Sequence, residues 1–285
     1  MEVSIQGNKT NALKKNTLHF FIYLFLIVTA FTMLIPFAWM LSSSLKLNRD
    51  VFAFPMQWIP SEPRWENYSV IWRRIPLGRF IYNTLKLAVI VTTLQVFSSS
   101  FAAYAFAKLN FPGRRGLFLG YIATIAVPWQ AYMVPQFILF TFLGLNNTHM
   151  AIICLQAFSA FGVFLMKQFY ETIPNELRDA ARIDGLSEYG IWWRIMLPLS
   201  KPAISTLIII TFVTTWNDFL GPMIYLTRTD LKTIQIGLRM FITQWASEYG
   251  LIMAASVVAL IPVLVIFLSL QRYFVQGIAA TGIKG

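Results

Sequence analysis

RDAARIDGLSEYGIWWRIMLP, residues 178–198, is the most water-compatible long stretch in an otherwise strongly apolar chain. Its pattern is helix, turn, helix. Pro174 suits the first turn of a helix, where a missing N–H costs nothing. Leu177, Ala180, Ala181 and Asp184 fall on one face at steps of three and four. Gly185 follows, a residue able to take the left-handed conformation that ends a helix. Ser187 suits the N-cap of a second helix, and Leu186 before it can pack on Ile191. Ile191, Trp192, Ile195 and Met196 make the apolar side of that helix, and Pro198 and Pro202 redirect the chain.

Outward from this stretch the composition is that of a membrane protein. Of 285 residues, 57% are hydrophobic and only 12% charged, about half the charged share of a soluble domain. A helix crossing the hydrocarbon needs roughly 20 mostly apolar residues. Stretches free of Asp, Glu, Lys and Arg, divided at turn signals, give an all-α, polytopic protein with six spans. They cover about 18–41, 83–107, 117–141, 149–167, 203–226 and 251–270. The third and fourth come from one uncharged run, 117–166, too long for a single crossing and divided by GLNNTH at 144–149. The quoted stretch belongs to a loop, 171–202, between spans four and five.

Lys and Arg favour the cytoplasmic ends of spans. Lys9, Lys14 and Lys15 precede span one, and Lys108, Arg114 and Arg115 sit between spans two and three, whereas the link between spans three and four has none. Both termini (1–17 and 271–285), the 108–116 link and the 171–202 loop are therefore expected in the cytoplasm, around a membrane domain of 18–270. The loop from 42 to 82 carries Lys46, Arg49, Arg64, Arg73, Arg74 and Arg79 on the opposite side, and long loops follow the rule poorly. It is a contact surface for a partner, or its Trp58, Trp65 and Trp72 form an interfacial aromatic belt with snorkelling arginines.

Several functions drop out. The net charge of +11 is scattered over loop ends, not gathered on one face, which argues against nucleic acid. Cys154 is the one cysteine and cannot form an internal disulfide, and His19 and His149 are too far apart in sequence to suggest a metal site. The 24-residue apolar run at 18–41 is too long for a signal peptide and is expected to remain as the first span. There is no phosphate-binding loop, nucleophile elbow or H-E-x-x-H, so no enzyme and no resident cofactor is expected. Energy for uphill movement then comes from an ion gradient or from another subunit. Gradient-driven carriers keep ionisable groups within their spans, and here Asp218 stands alone among the acidic residues of the predicted spans.

Asp179-Ala180-Ala181, three residues, Gly185, nine residues, then Ile195-x-Leu197-Pro198 resembles the EAA loop of binding-protein-dependent ABC importer permeases, E-A-A-x3-G-x9-I-x-L-P. Asp179 stands where that family carries Glu, keeping the charge but shortening the reach by one methylene. Further segments are similar to carbohydrate permeases of the maltose-permease type: PFAWMLSSSLK (36–46), ENY (66–68), AAYAFAKLNFPGR (102–114), GVFLMKQFY (162–170), RIDG (182–185), WNDF (216–219) and QRYFVQGIAATGIKG (271–285). The resemblance implies one permease subunit of an ATP-driven importer for a sugar or oligosaccharide. It would sit in a bacterial or archaeal cytoplasmic membrane among lipid, with a second, different permease, two cytoplasmic ATPase subunits that bind ATP and Mg, and an external solute-binding protein. It also implies that Asp179, Ala180, Ala181, Arg182, Asp184, Gly185 and Leu186 couple the chain to the ATPase. The same loop occurs in permeases for polyamines or phosphorylated polyols, so a non-sugar solute is the first alternative and a gradient-driven carrier the second. Read from periodicity alone, the loop is simply an amphipathic helix covering the bundle end.

For the solute path the sequence offers Gln95 in span two, Trp129, Gln130 and Gln136 between Pro128 and Pro135 or beside them in span three, and Trp216, Asn217 and Asp218 ahead of Gly221-Pro222 in span five. An ionised Asp at the bilayer centre costs about 2.5–3.5 kcal/mol on insertion scales, so it should point inward. Broken helices must turn exposed backbone to protein or a watery cavity. Amides and aromatic faces suit sugars, but the same residues also bridge and pack helices. Asp218 can equally pair with a neighbour or cap a break in its span.

Overall fold

The computed structural model describes residues 3–242 and 248–282, with side chains over 18–242 and 248–273. Its regular elements are helical: α1 Val3–Ser44, α2 Asn67–Arg74, α3 Leu77–Lys108, α4 Arg114–Ala123, α5 Trp129–Phe142, α6 His149–Gln156, α7 Ala160–Thr172, α8 Asn175–Ile183, α9 Glu188–Ile191, α10 Leu197–Leu199, α11 Lys201–Trp216, α12 Leu220–Tyr225, α13 Ile234–Arg239 and α14 Tyr249–Gly282. A π-helical turn, Trp192–Met196, joins α9 to α10. Three helices are long and apolar enough to cross a membrane alone: 18–44 of α1, all of α3 and 249–273 of α14. Three further spans arise only if each bent pair counts as one, which raises the total to six among the described residues. The expected terminal segments 1–17 and 271–285 lie largely outside the described side chains.

The chain divides into two compact units. The smaller comprises residues 1–71 and 241–258. Within it the segment after α1 folds back on the helix end: Asn67 Nδ2 donates to the carbonyls of Ser44 (2.8 Å) and Lys46 (3.0 Å), satisfying acceptors that the helix end leaves over. Lys46 is buried, its ammonium 4.0 Å from the Trp39 ring centroid, and burial lowers its pKa. Trp39 also meets Trp58 edge-on. Trp58 and Trp65 keep large exposed faces.

The larger unit comprises residues 72–240 and 259–285. Its centre is α3, packed most extensively against α7 and α11. Small residues permit this approach: a Cβ on Gly162 of α7 would lie 2.4 Å from Ser99 Oγ of α3. The α5–α6 turn is fixed by Asn147, whose backbone is left-handed (φ 59°) and whose Oδ1 accepts from Thr227 N (2.7 Å), Thr227 Oγ1 (2.7 Å) and Arg228 N (3.0 Å).

The chain bends by 98° between α4 and α5, at Pro128, the N-cap of α5. It bends by 42° between α6 and α7 and by 80° between α10 and α11. The run 203–226, read as one span, is interrupted at 217–219, between α11 and α12. Pro174 is the N-cap of α8 instead of its first helical residue. The second helix of the loop is not continuous α-helix: Leu197 N donates to Trp192 O, a five-residue step. The wide turn lies just ahead of Pro198, whose ring would collide with the carbonyl of Arg194 in an ordinary α-helix.

Candidate functional site

Two sites emerge, both in the larger unit. The first is the helix–turn–helix of residues 175–199. Gly185 has φ +82°, and Leu186 N reaches back to Ala181 O (3.0 Å), closing the α8 C-terminus. Ser187 Oγ accepts from Gly190 N at 3.3 Å and caps α9. Leu186 packs on the cluster containing Ile191, Trp192 and Met196.

The face expected to carry Leu177, Ala180, Ala181 and Asp184 together is split. Asp179, Ala180, Arg182 and Asp184 are exposed, but Ala181 is only 4% exposed and faces the core with Leu186. Ala181 is the one buried residue of the nine-residue α8. The exposed large apolar residues are Leu177, Ile183 (87% exposed), Tyr189, Trp193 and Leu199. Ile183 was missed, although its spacing from Leu177 and Ala180 placed it on their stripe.

Glu188 joins the elements here. Its Oε1 accepts from Arg178 Nη2 (2.9 Å), its Oε2 from Arg178 Nε (3.2 Å) and from Tyr104 Oη of α3 (2.5 Å), and Arg182 Nε lies 3.2 Å from Oε1. Burial pushes the Glu188 carboxyl up, but the hydrogen bonds from Arg178 and Tyr104 and the two guanidinium charges together hold it below its ordinary value. The same pairing raises Arg178. Arg182 thus has a partner within the chain. Lys108, 7% exposed at the end of α3, donates to Ile173 O (2.6 Å) and Asn175 Oδ1 (2.8 Å) at the opposite end of α8.

The second site is a cavity of about 380 Å³ whose lining includes Gln95, Trp129, Tyr132, Gln156, Thr215 and Asp218. It forms where α6 and α11 end, and side chains satisfy the freed backbone. Gln95 Nε2 donates to Gln156 O (3.0 Å), and Ser98 Oγ to Ala157 O (3.0 Å). Thr211 donates to Gln95 Oε1. Thr215 Oγ1 donates to Gln156 Oε1 (2.8 Å), and Gln156 Nε2 to Asp218 Oδ2 (2.7 Å). Asp218 Oδ1 accepts from Gly221 N at 3.2 Å, so it caps the break and also pairs across to α6.

Of the seven residues proposed for the path, Gln95, Trp129 and Asp218 are brought together here. Gln136 stands behind them, accepting from Trp129 Nε1 at 2.7 Å. Gln130 is exposed and outside the lining, and Asn217 Oδ1 instead accepts from Gln235 Nε2 (3.0 Å). Trp216 is a core residue: 1% exposed, stacked on Phe212 and donating through Nε1 to Ala259 O at 3.1 Å. Burial satisfies both its apolar body and its polar edge, and it does not line the cavity. Gln156 was overlooked because it reads as an ordinary amide within a predicted span.

Residues 95–280 match the family of binding-protein-dependent transport system inner membrane components, and the chain belongs to that family. It is 32% identical over 266 residues to the arabinooligosaccharides transport system permease protein AraQ of Bacillus subtilis, covering 92% of this chain and 94% of that one. It is 31% identical over 255 residues to the lactose transport system permease protein LacG of Rhizobium radiobacter, covering 90% and 93%. Its fold is similar to that of a chain in a bacterial ABC transporter involved in the import of the acidic polysaccharide alginate: TM-score 0.78, 24% identity, 88% of this chain and 94% of that one. The protein is accordingly a non-catalytic, multi-pass inner-membrane permease subunit of an ABC importer. Permeases of this class work with a partner permease, ATPase subunits and a solute-binding protein.

Proposed function

We propose that this chain is one of two different permeases in an importer that carries a sugar or oligosaccharide inward, driven by two cytoplasmic ATPases that bind ATP and Mg. The cavity carries the solute reading. Its three aromatic rings, Trp129, Tyr132 and Phe158, and its amide and hydroxyl groups match the C–H faces and hydroxyls of a sugar, and AraQ and LacG take their names from sugar transport. An external binding protein delivers the solute, and both termini and the 171–202 loop lie in the cytoplasm.

The helix–turn–helix is the ATPase-docking element. Leu177, Ala180 and Ile183 offer an exposed apolar stripe flanked by Asp179, Arg182 and Asp184, while Gly185 sets the elbow and Ala181 and Leu186 anchor it from within. Reconstitution in proteoliposomes with the partner permease, ATPases and binding protein tests the whole reading. ATP-dependent accumulation of a labelled arabino-oligosaccharide or lactose is expected, with none from this chain alone. Uptake by the isolated chain down an ion gradient would instead establish a secondary carrier. Uptake of a polyamine or polyol phosphate in place of sugars would reassign the solute and leave the architecture standing.

A further inference from the structure

We propose that Glu188 and Tyr104 form a strap that makes the docking helix move α3, so that ATPase motion reaches the cavity through α3 as well as along the chain into α11. This rests on the docking role proposed for α8. Three groups converge on the Glu188 carboxylate from two elements: Arg178 and Arg182, one turn apart on α8, and Tyr104 on α3. The Arg178 pair uses both carboxylate oxygens, an arrangement that fixes orientation as well as distance. Tyr104 is 3% exposed and the Arg178 side chain 14%, so these two donors are shielded from water, while the Glu188 side chain is 30% exposed. Lys108, one turn beyond Tyr104, holds the start of α8 through Ile173 and Asn175. The start of α8 is therefore held by α3 directly, and its two arginines through Glu188 of α9.

On the same helix Gln95 stands nine residues before Tyr104, roughly 13.5 Å along the axis. It holds the α6 break through Gln156 O and meets Thr211 of α11. A displacement of α8 drawn through Tyr104 thus arrives at the residue that joins the cavity's broken helices. Glu188 and Tyr104 are positioning residues, since neither lines the cavity.

The test uses the complete reconstituted importer and reads ATP hydrolysed per solute accumulated. Tyr104→Phe keeps the ring and removes the hydroxyl's bond to Glu188 together with its contact to Arg178, leaving the Arg178–Glu188 pair within the loop. Loss of one hydrogen bond to a charged group is expected to raise the ratio roughly threefold or more. Glu188→Gln should raise it as well, and the double variant should be no worse than the worse single one, because both cut one link. An unchanged ratio in Tyr104→Phe, or additive effects in the double variant, would overturn the strap. Ala180→Trp, on the outer face of α8, serves as the separate control for docking. If it still co-purifies with the ATPases and transports normally, the docking role fails. If it loses the ATPases while Tyr104→Phe transports at the wild-type ratio, only the strap fails.

Discussion

Gly185 is decided by backbone conformation and not by space. A Cβ there would meet no atom within 4 Å, but φ is +82°. A β-branched residue in that region costs about 1–3 kcal/mol, whereas Asn tolerates it. Gly185→Val is therefore expected to reach the membrane but lose the ATPases on purification, while Gly185→Asn keeps them and most uptake. Normal uptake by the Val variant would count against the elbow's role in coupling. Glu188 offers a second handle through pH. Its folded pKa is held below the ordinary 4.5, so its contribution to stability is full above that value and fades as pH falls through the lower folded pKa. The difference in melting temperature between the wild type and Glu188→Gln should stay flat from pH 8 to about 5 and shrink in more acidic buffer. A difference that changed between pH 6 and 8 would point to another group.

The α3–α7 contact depends on one missing methyl. Gly162→Ala would put a Cβ 2.4 Å from Ser99 Oγ, 3.1 Å from Ser99 Cβ and 3.3 Å from Leu207 Cδ1. Overpacking of this kind costs about 1–3 kcal/mol. A lower melting temperature in detergent is expected for Gly162→Ala, with partial recovery in the Ser99→Ala double variant because the nearest atom is then gone. How much of each element could be read in advance follows from its chemistry. Gly185 and Ser187 were legible because caps and left-handed turns are local, set by the few residues that make them. The π turn was not, since it reconciles Pro198 with a helix held from both ends. The inward position of Ala181 was hidden because two adjacent alanines read alike, and the burial of Trp216 for a different reason. Where nearly every side chain is apolar, periodicity no longer tells which face meets protein and which meets lipid. Asp218 was legible as inward because its charge admits no other place, but its partner Gln156 is 62 positions away and carries no such mark.

At the scale of the chain, the helices differ sharply in how much of their apolar surface the protein itself covers. In the most apolar windows 44% of residues are buried for α3, 17% for α14 and none for 18–44 of α1. Hydrocarbon or a neighbouring subunit must meet that surface, since water would not. Three unbroken spans and the apolar runs within the bent pairs were legible as charge-free stretches, but the bends were not: run length measures what can enter a bilayer and is silent on where a helix breaks within it. Sidedness can be tested with single cysteines. Replacing Cys154 by alanine removes the one native thiol. Phe54→Cys, at a site 99% exposed in the loop after α1, should then react with a membrane-impermeant maleimide in intact cells stripped of their outer barrier. Arg115→Cys, exposed at the start of α4, should react only after the membrane is opened. The reverse pattern would place the α8 elbow outside, where no ATPase could reach it, and would overturn the docking role together with the orientation. The lysine and arginine bias at 108–115 carries this expectation, against the basic residues of 46–79 on the opposite side. Short links obey that bias and long loops escape it, so the label at Arg115 is the one that decides.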